Sequence, residues 1–193
     1  MKKYILLFAV LLYAYSHYGQ TLYFTQSSFI RFFSEAPLEN ITATNVVSNA
    51  VIDFDKREIA VKIPMNKFIF RNKLMQSHFN ENYLESTVYP YAIFKGTIDK
   101  NIDLNTSATI PVTATGIMNL HGVNKNVAIV GQIVVDAVNK IVILDATFKI
   151  KLEDYAIRVP SVVMYKIAED IEVNSQFTMM PAKRTSGDIS SKK

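Results

Sequence analysis

Residues 109–120 read TIPVTATGIMNL, and they alternate. Ile110, Val112, Ala114, Gly116, Met118 and Leu120 fall on one face, with Thr109, Thr113, Thr115 and Asn119 on the other. A two-residue period sends successive side chains to opposite sides of an extended chain, so this stretch is a strand with one covered face. The pattern then repeats. Gly122-Val-Asn-Lys-Asn126 supplies turn chemistry, residues 127–135 run back as a strand, Val138-Asn-Lys140 makes a second connection, and residues 141–150 form a third strand. Three strands joined by short turns make an antiparallel meander.

Upstream, residues 22–34, 41–53 and 58–65 also read as strands, with residues 53–57 as the turn joining the last two, and residues 88–98 form another. Near the end, Ile171, Val173, Ser175, Phe177 and Met179 alternate with Glu172, Asn174, Gln176 and Thr178. The expected class is all-β, with about eight long antiparallel strands, each apolar on one face. Such strands form a sandwich or close into a barrel, and closure removes the exposed edges. An eight-stranded barrel is just wide enough to be filled by side chains or to hold one small ligand. Several inward positions are small: Ala92, Gly96, Ala114, Gly116, Gly131, Ala146 and Ser175. Either they make room for Phe94, Phe148 and Phe177, or they leave a cavity.

The alternation breaks between Asn72 and Glu85. Leu74, Met75, Phe79 and Tyr83 are spaced for one face of a short helix. Asn72 and Asn80 are candidate N-caps, and Glu81 favours the helix dipole. Thr87 and Pro90 return the chain to a strand. The reading is a helical crossover over one barrel end, with Met75, Phe79 and Tyr83 inward and the His, Asn and Glu side chains wet.

Lys2 and Lys3 precede a ten-residue apolar run at 4–13, and small residues follow at Ala14, Ser16 and Gly19. This is the pattern of a secretory signal peptide over residues 1–19, too short to span a bilayer. Cleavage after Ser16 and after Gly19 both fit. The expectation is an exported, periplasmic or secreted domain over residues 20–180, followed by a flexible polar tail at 181–193. Losing Lys2 and Lys3 from 21 basic and 17 acidic residues leaves a mature charge of +2 with no dense basic stripe, which argues against nucleic-acid binding. The absence of cysteine excludes a disulfide scaffold, thiolate metal sites and a cysteine-linked lipid anchor. No later segment is long and apolar enough for stable membrane insertion.

Catalytic signatures are missing. His78 and His121 lie in different segments without HExxH-like spacing, and neither a GxSxG elbow nor a glycine-rich phosphate loop is present. Glu153 and Asp154 are consecutive and point apart in an extended chain. The chain is therefore expected not to be an enzyme and to carry no metal and no cofactor.

Taken in order, several short motifs resemble the YceI-like family. They begin with Phe33 followed by Ala36-Pro37. The central set is Leu74-Met75, His78-Phe79, Tyr83-Leu84-Glu85-Ser86, Tyr89-Pro90 and Phe94-Lys95-Gly96. A hairpin Leu120-His121-Gly122 with Lys125 and Val127 follows, then a closing Phe148, Ile150, Leu152, Asp154-Tyr155 and Ile157. One departure is Asn126, where members often carry proline. The resemblance spans roughly residues 22–180. It implies an eight-stranded lipocalin-like barrel with a helical crossover, whose long apolar pore holds a polyisoprenoid, an isoprenoid quinone or a related amphiphile. It supplies no catalytic residues.

An apolar bore needs no recognition motif. Burying ten chain carbons yields roughly 8 kcal/mol at about 0.8 per CH₂, from which ordering the ligand subtracts several kcal/mol. The expected ligand-binding residues are Phe68, Phe70, Met75, Phe79, Tyr83, Phe94, Gly116, Met118, Gly131, Ala146, Phe148 and Phe177. Asn80, Tyr83 and His121 are the candidates for head-group contact. The expected function is an exported lipid-binding protein that stores or transports an isoprenoid-type amphiphile. Its partner classes are that lipid and, for assembly, a second copy in a homodimer. Two rivals stand beside it: a filled barrel acting through an outer face such as Tyr89, Tyr91 and Ile93, and a metal-dependent hydrolase using His78 and His121.

Overall fold

Each long alternating stretch becomes a strand, because only a sheet covers one apolar face while pairing every backbone group. A computed structural model describes residues 21–35, 40–158 and 170–182. The expected leader, Ala36-Pro37 and the tail from residue 183 lie outside the described residues. The strands are β1 (Leu22–Ser34), β2 (Ile41–Asn45), β3 (Asn49–Asp53), β4 (Glu58–Pro64), β5 (Ile69–Phe70), β6 (Tyr91–Ile98), β7 (Ala108–Leu120), β8 (Val123–Asp136), β9 (Ile141–Lys151) and β10 (Asp170–Pro181).

All pairings are antiparallel. From β3 the ring runs β3-β4-β6-β7-β8-β9-β10 and closes through β1, which pairs with β3 near its start and with β2 near its end. Since β2 and β3 lie end to end along β1, they act as one stave, and the ring is an eight-stranded closed barrel. The two-residue β5 is laid against β2 (Ala43↔Phe70, Thr44↔Ile69).

Three boundaries differ from the sequence reading, each for a local reason. The strand expected at 41–53 is broken at 46–48. There Asn45, fully buried, accepts from the Val47 N–H and the Ser48 hydroxyl and donates to the Pro64 carbonyl. An Asx side chain that captures its own downstream backbone bends the strand out of line. The hairpin turn expected at 122–126 is only His121-Gly122. Both have positive φ (51° and 75°), the two-residue geometry whose twist matches paired strands. Asn124 and Asn126 instead point outward along β8. Finally, residues 86–89 form turns, and the strand expected from 88 begins at Tyr91.

The core divides along the barrel axis. At the end formed by the start of β1, the end of β10 and the hairpins β3–β4 and β8–β9, the interior is packed solid. Ile52, Ile133, Val142 and Met179 have no exposed surface, and Tyr23 meets Phe54 edge to face at 5.3 Å. The opposite end is built differently.

Candidate functional site

The end of β1 points toward a helical lid. Asn72 caps it, its side-chain oxygen accepting from the Leu74 and Met75 N–H groups at 2.9 and 3.4 Å. The α-helical part, α1, is Lys73–His78, and it widens into one π-helical turn at Phe79–Tyr83. Met75, Phe79 and Tyr83 fall on the inner side. The second candidate cap, Asn80, lies inside the helical segment. It ties the lid's exit down instead, accepting from the Ser86 hydroxyl through its side chain and from the Ser86 N–H through its carbonyl.

Beneath the lid is a cavity of about 360 Å³, in the size range of small-molecule sites. Its wall comes from β1, β2, β4, β5, β6, β7, β9 and β10 as well as the lid. Phe32, Phe68, Phe70 and Phe79 form a continuous aromatic cluster on one side, with ring centroids 4.9 to 5.7 Å apart. Ile150, Leu152, Ile157, Ile171 and Val173 continue the wall, Val173 lying beside Phe32 in the β1–β10 pairing, and Ile30 and Met65 also line it. Polar side chains on the wall are few: Ser34, Asn72, His78 and Tyr83. Burial raises the Tyr83 phenol above its ordinary value, so it stays a neutral hydroxyl at the rim.

Eight of the twelve residues expected from the sequence stand on this wall: Phe68, Phe70, Met75, Phe79, Tyr83, Phe94, Met118 and Phe148. The other four do not reach it. Phe177 is buried among the packed end's side chains. Gly116, Gly131 and Ala146 do face inward, but strand packing takes their space. A Cβ at Gly116 would overlap the main chain of Lys95 and Gly96. One at Gly131 would come within 2.5 Å of the Asp145 carbonyl and 3.0 Å of the Ala146 Cβ. These small residues let neighbouring strands approach closely, and they open no volume. Gly96 serves its neighbour, since the Phe94 ring tip occupies the site a Cβ would take at 2.8 Å.

Phe32 was legible and missed. Beyond the bulge at Thr25–Ser27, Arg31 marks the odd positions of β1 as outward and stacks over Phe33, so Ile30, Phe32 and Ser34 must face in. Ala92 and Leu120, which the alternation already turns inward, also line the cavity, as does Leu84, which carries no such signal.

His121 serves as a clamp. Its Nδ1 lies 3.1 Å from the Tyr155 carbonyl and its Nε2 2.9 Å from Glu85, while Tyr89 packs on the ring at 4.5 Å. A carbonyl only accepts, so Nδ1 carries a proton and donates it. Lid exit, β7–β8 hairpin and the turn at Glu153–Tyr155 are thereby tied at one point, and both ring nitrogens are engaged. Burial, and then the neighbouring Asp154, raise the Tyr155 phenol. Of the three candidates for head-group contact, only Tyr83 lines the cavity. Among the described residues, no three His, Asp or Glu side chains form a cluster fit for a metal ion. Asp154 pairs with Lys125 at 3.0 Å, and on the outer face Lys62 sits 3.7 Å from the Tyr91 ring. No helix among the described residues is long and apolar enough to cross a membrane.

A family model described as the YceI-like domain matches residues 24–179. Among solved structures, a polyisoprenoid binding domain from Saccharophagus degradans, implicated in plant cell wall breakdown, is 16% identical, with a TM-score of 0.68 over 83% of this chain and 98% of that one. Burkholderia cenocepacia BcnA is 13% identical, with a TM-score of 0.66 over 78% and 95%. The Campylobacter jejuni YceI protein is 20% identical, with a TM-score of 0.53 over 70% and 81%. No curated protein matches significantly in sequence.

Proposed function

This chain belongs to the YceI-like family, and from that premise we propose that it holds an isoprenoid-type amphiphile, tail inward, for storage or transport. The observation that carries this reading is the cavity itself, walled by aromatic and aliphatic side chains with only Ser34, Asn72, His78 and Tyr83 as polar residues in its lining. Such a wall binds by removing apolar surface from water and needs no array of donors. The similarity to a polyisoprenoid binding domain supports the same class of ligand. The protein acts as a non-enzymatic carrier, and the basic-then-apolar run at 2–13 supports export to the periplasm or beyond. In this reading the seven other expected residues on the wall contact the tail, and Tyr83 and His78 meet the head.

The direct test is organic extraction of detergent-free protein from its native envelope, followed by mass spectrometry. A prenyl lipid near one per chain is expected. A blank that persists after loading with candidate lipids would overturn the reading in favour of an interaction barrel. Ala92→Phe provides the matching variant. Ala92 faces the cavity from β6 opposite Ile63, and the added ring should cut lipid content at least about tenfold while the fold persists.

A further inference from the structure

On one side of the mouth, apolar surface continues from inside the cavity to the outside of the barrel. Leu74 belongs to the cavity wall and is nevertheless 64% exposed. The Asn72 cap fixes the helix turn that carries it, so this exposure is built into the fold. Just below, Ile69 is 58% exposed on the outer face of β5. The register sets it in one row with Thr44 of β2 and Arg31 of β1. Phe29, Val46 and Val47 extend the apolar surface along the same wall.

Charge follows the same boundary. Residues 59–80 contain Lys62, Lys67, Arg71 and Lys73 and no aspartate or glutamate. Lys67, Arg71 and Lys73 are exposed and flank Ile69 and Leu74. Beyond this wall the two signs are interleaved: Glu172 lies opposite Lys149 and Asp170 opposite Lys151 across β9 and β10, and Asp154 pairs with Lys125. The mouth therefore has one flank where cations stand among apolar side chains without acidic residues in the same stretch, and another where charges of both signs are interleaved.

We propose that the flank formed by β5, the outer face of β2 and the start of α1 docks on the surface of an anionic lipid bilayer, setting the mouth against the membrane from which lipid is taken or to which it is delivered. Exposed apolar side chains set among cations are the composition of an interfacial membrane contact: the cations meet anionic head groups, and the apolar groups enter the head-group layer. The proposal rests on the lipid-holding reading, which supplies the reason for cavity and docking surface to be continuous.

Vesicle sedimentation of the full protein tests it, using phosphatidylcholine alone and phosphatidylcholine with a quarter phosphatidylglycerol. Binding is expected only to the anionic vesicles and should be lost at high salt. Lys67→Glu with Lys73→Glu should reduce partitioning about tenfold or more, and Ile69→Ser by a smaller factor. None of these three residues lines the cavity, so lipid recovered by extraction, far-UV circular dichroism and the thermal midpoint should stay at parental levels. Equal sedimentation of the charge-reversal variant and its parent would overturn the docking face. So would a parent that carries lipid yet ignores anionic vesicles. A parent that sediments as expected but never yields lipid would overturn the carrier reading and leave the docking face standing.

Discussion

The two ends of this barrel use the same strands to opposite effect. At the packed end, side chains from neighbouring staves interdigitate, and Ile52, Ile133, Val142 and Met179 have no exposed surface. At the mouth, the same staves carry aromatic and aliphatic side chains of equal size, yet the space between them stays open under a helical lid. The difference therefore lies in how deeply each side chain is enclosed by others, and not in hydrophobicity. Stability belongs to one end and capacity to the other.

The largest expected contrast is between Phe177, buried in the packed end, and Phe148, half-buried on the cavity wall. Phe177→Ala should cost about 3–5 kcal/mol in denaturant unfolding and Phe148→Ala about half as much, because Phe148 already lacks neighbours on one side. Equal losses would break the distinction between the ends. Next in size is Gly116→Ala, which forces the main chains of β6 and β7 apart and should cost about 1–3 kcal/mol despite adding only a methyl group. If it instead opened the barrel to more lipid with no loss of stability, the close strand approach would be the wrong account.

A local effect of about 1 kcal/mol is expected for Asn72→Ala, which removes the lid's cap. Hydrogen exchange should accelerate over residues 73–83 while β8 and β9 stay protected.

The smallest effect is acid sensitivity, and it should appear at the packed end. Backbone N–H groups of Lys56 and Asp55 and the Lys56 ammonium lower the Asp53 carboxyl. The Asn105 backbone and the Thr106 hydroxyl lower Asp103, and the Asn139 side chain and backbone lower Asp136. A carboxyl held below its ordinary value of 3.8 contributes stability that is present above that pH and is lost as the pH falls through the lower folded value. Nuclear magnetic resonance titration below pH 4 should therefore show these three turns loosening before the mouth does.

How much of this was legible depended on whether the deciding interaction was local. The inward faces of β7 and β10 could be read residue by residue, because alternation is a property of the strand alone. The lid's inner face and its Asn72 cap were legible for the same reason. The break after Asn45 was only half legible: its capture of Val47 and Ser48 is local, but its bond to the Pro64 carbonyl, 19 residues away, is not. The small residues misled in an instructive way. Sequence shows that Gly116, Gly131 and Ala146 face inward, but whether an inward glycine opens space or admits a neighbouring backbone depends on strand spacing, which no single strand encodes. Phe32 was legible from Arg31, the residue before it, whose charge faces outward and so turns its neighbour inward.

The closing seam of the barrel has a consequence in time. β1 joins β10 through pairs that run from Tyr23↔Pro181 to Phe33↔Glu172, so the first strand waits for the last. Contacts this distant in sequence carry a large loop-closure cost and form slowly. Until β10 arrives, β1 and β9 each expose an unpaired edge. The chain must therefore be synthesised through β10 before the barrel can close, and the interval before closure is when it most needs a chaperone's protection.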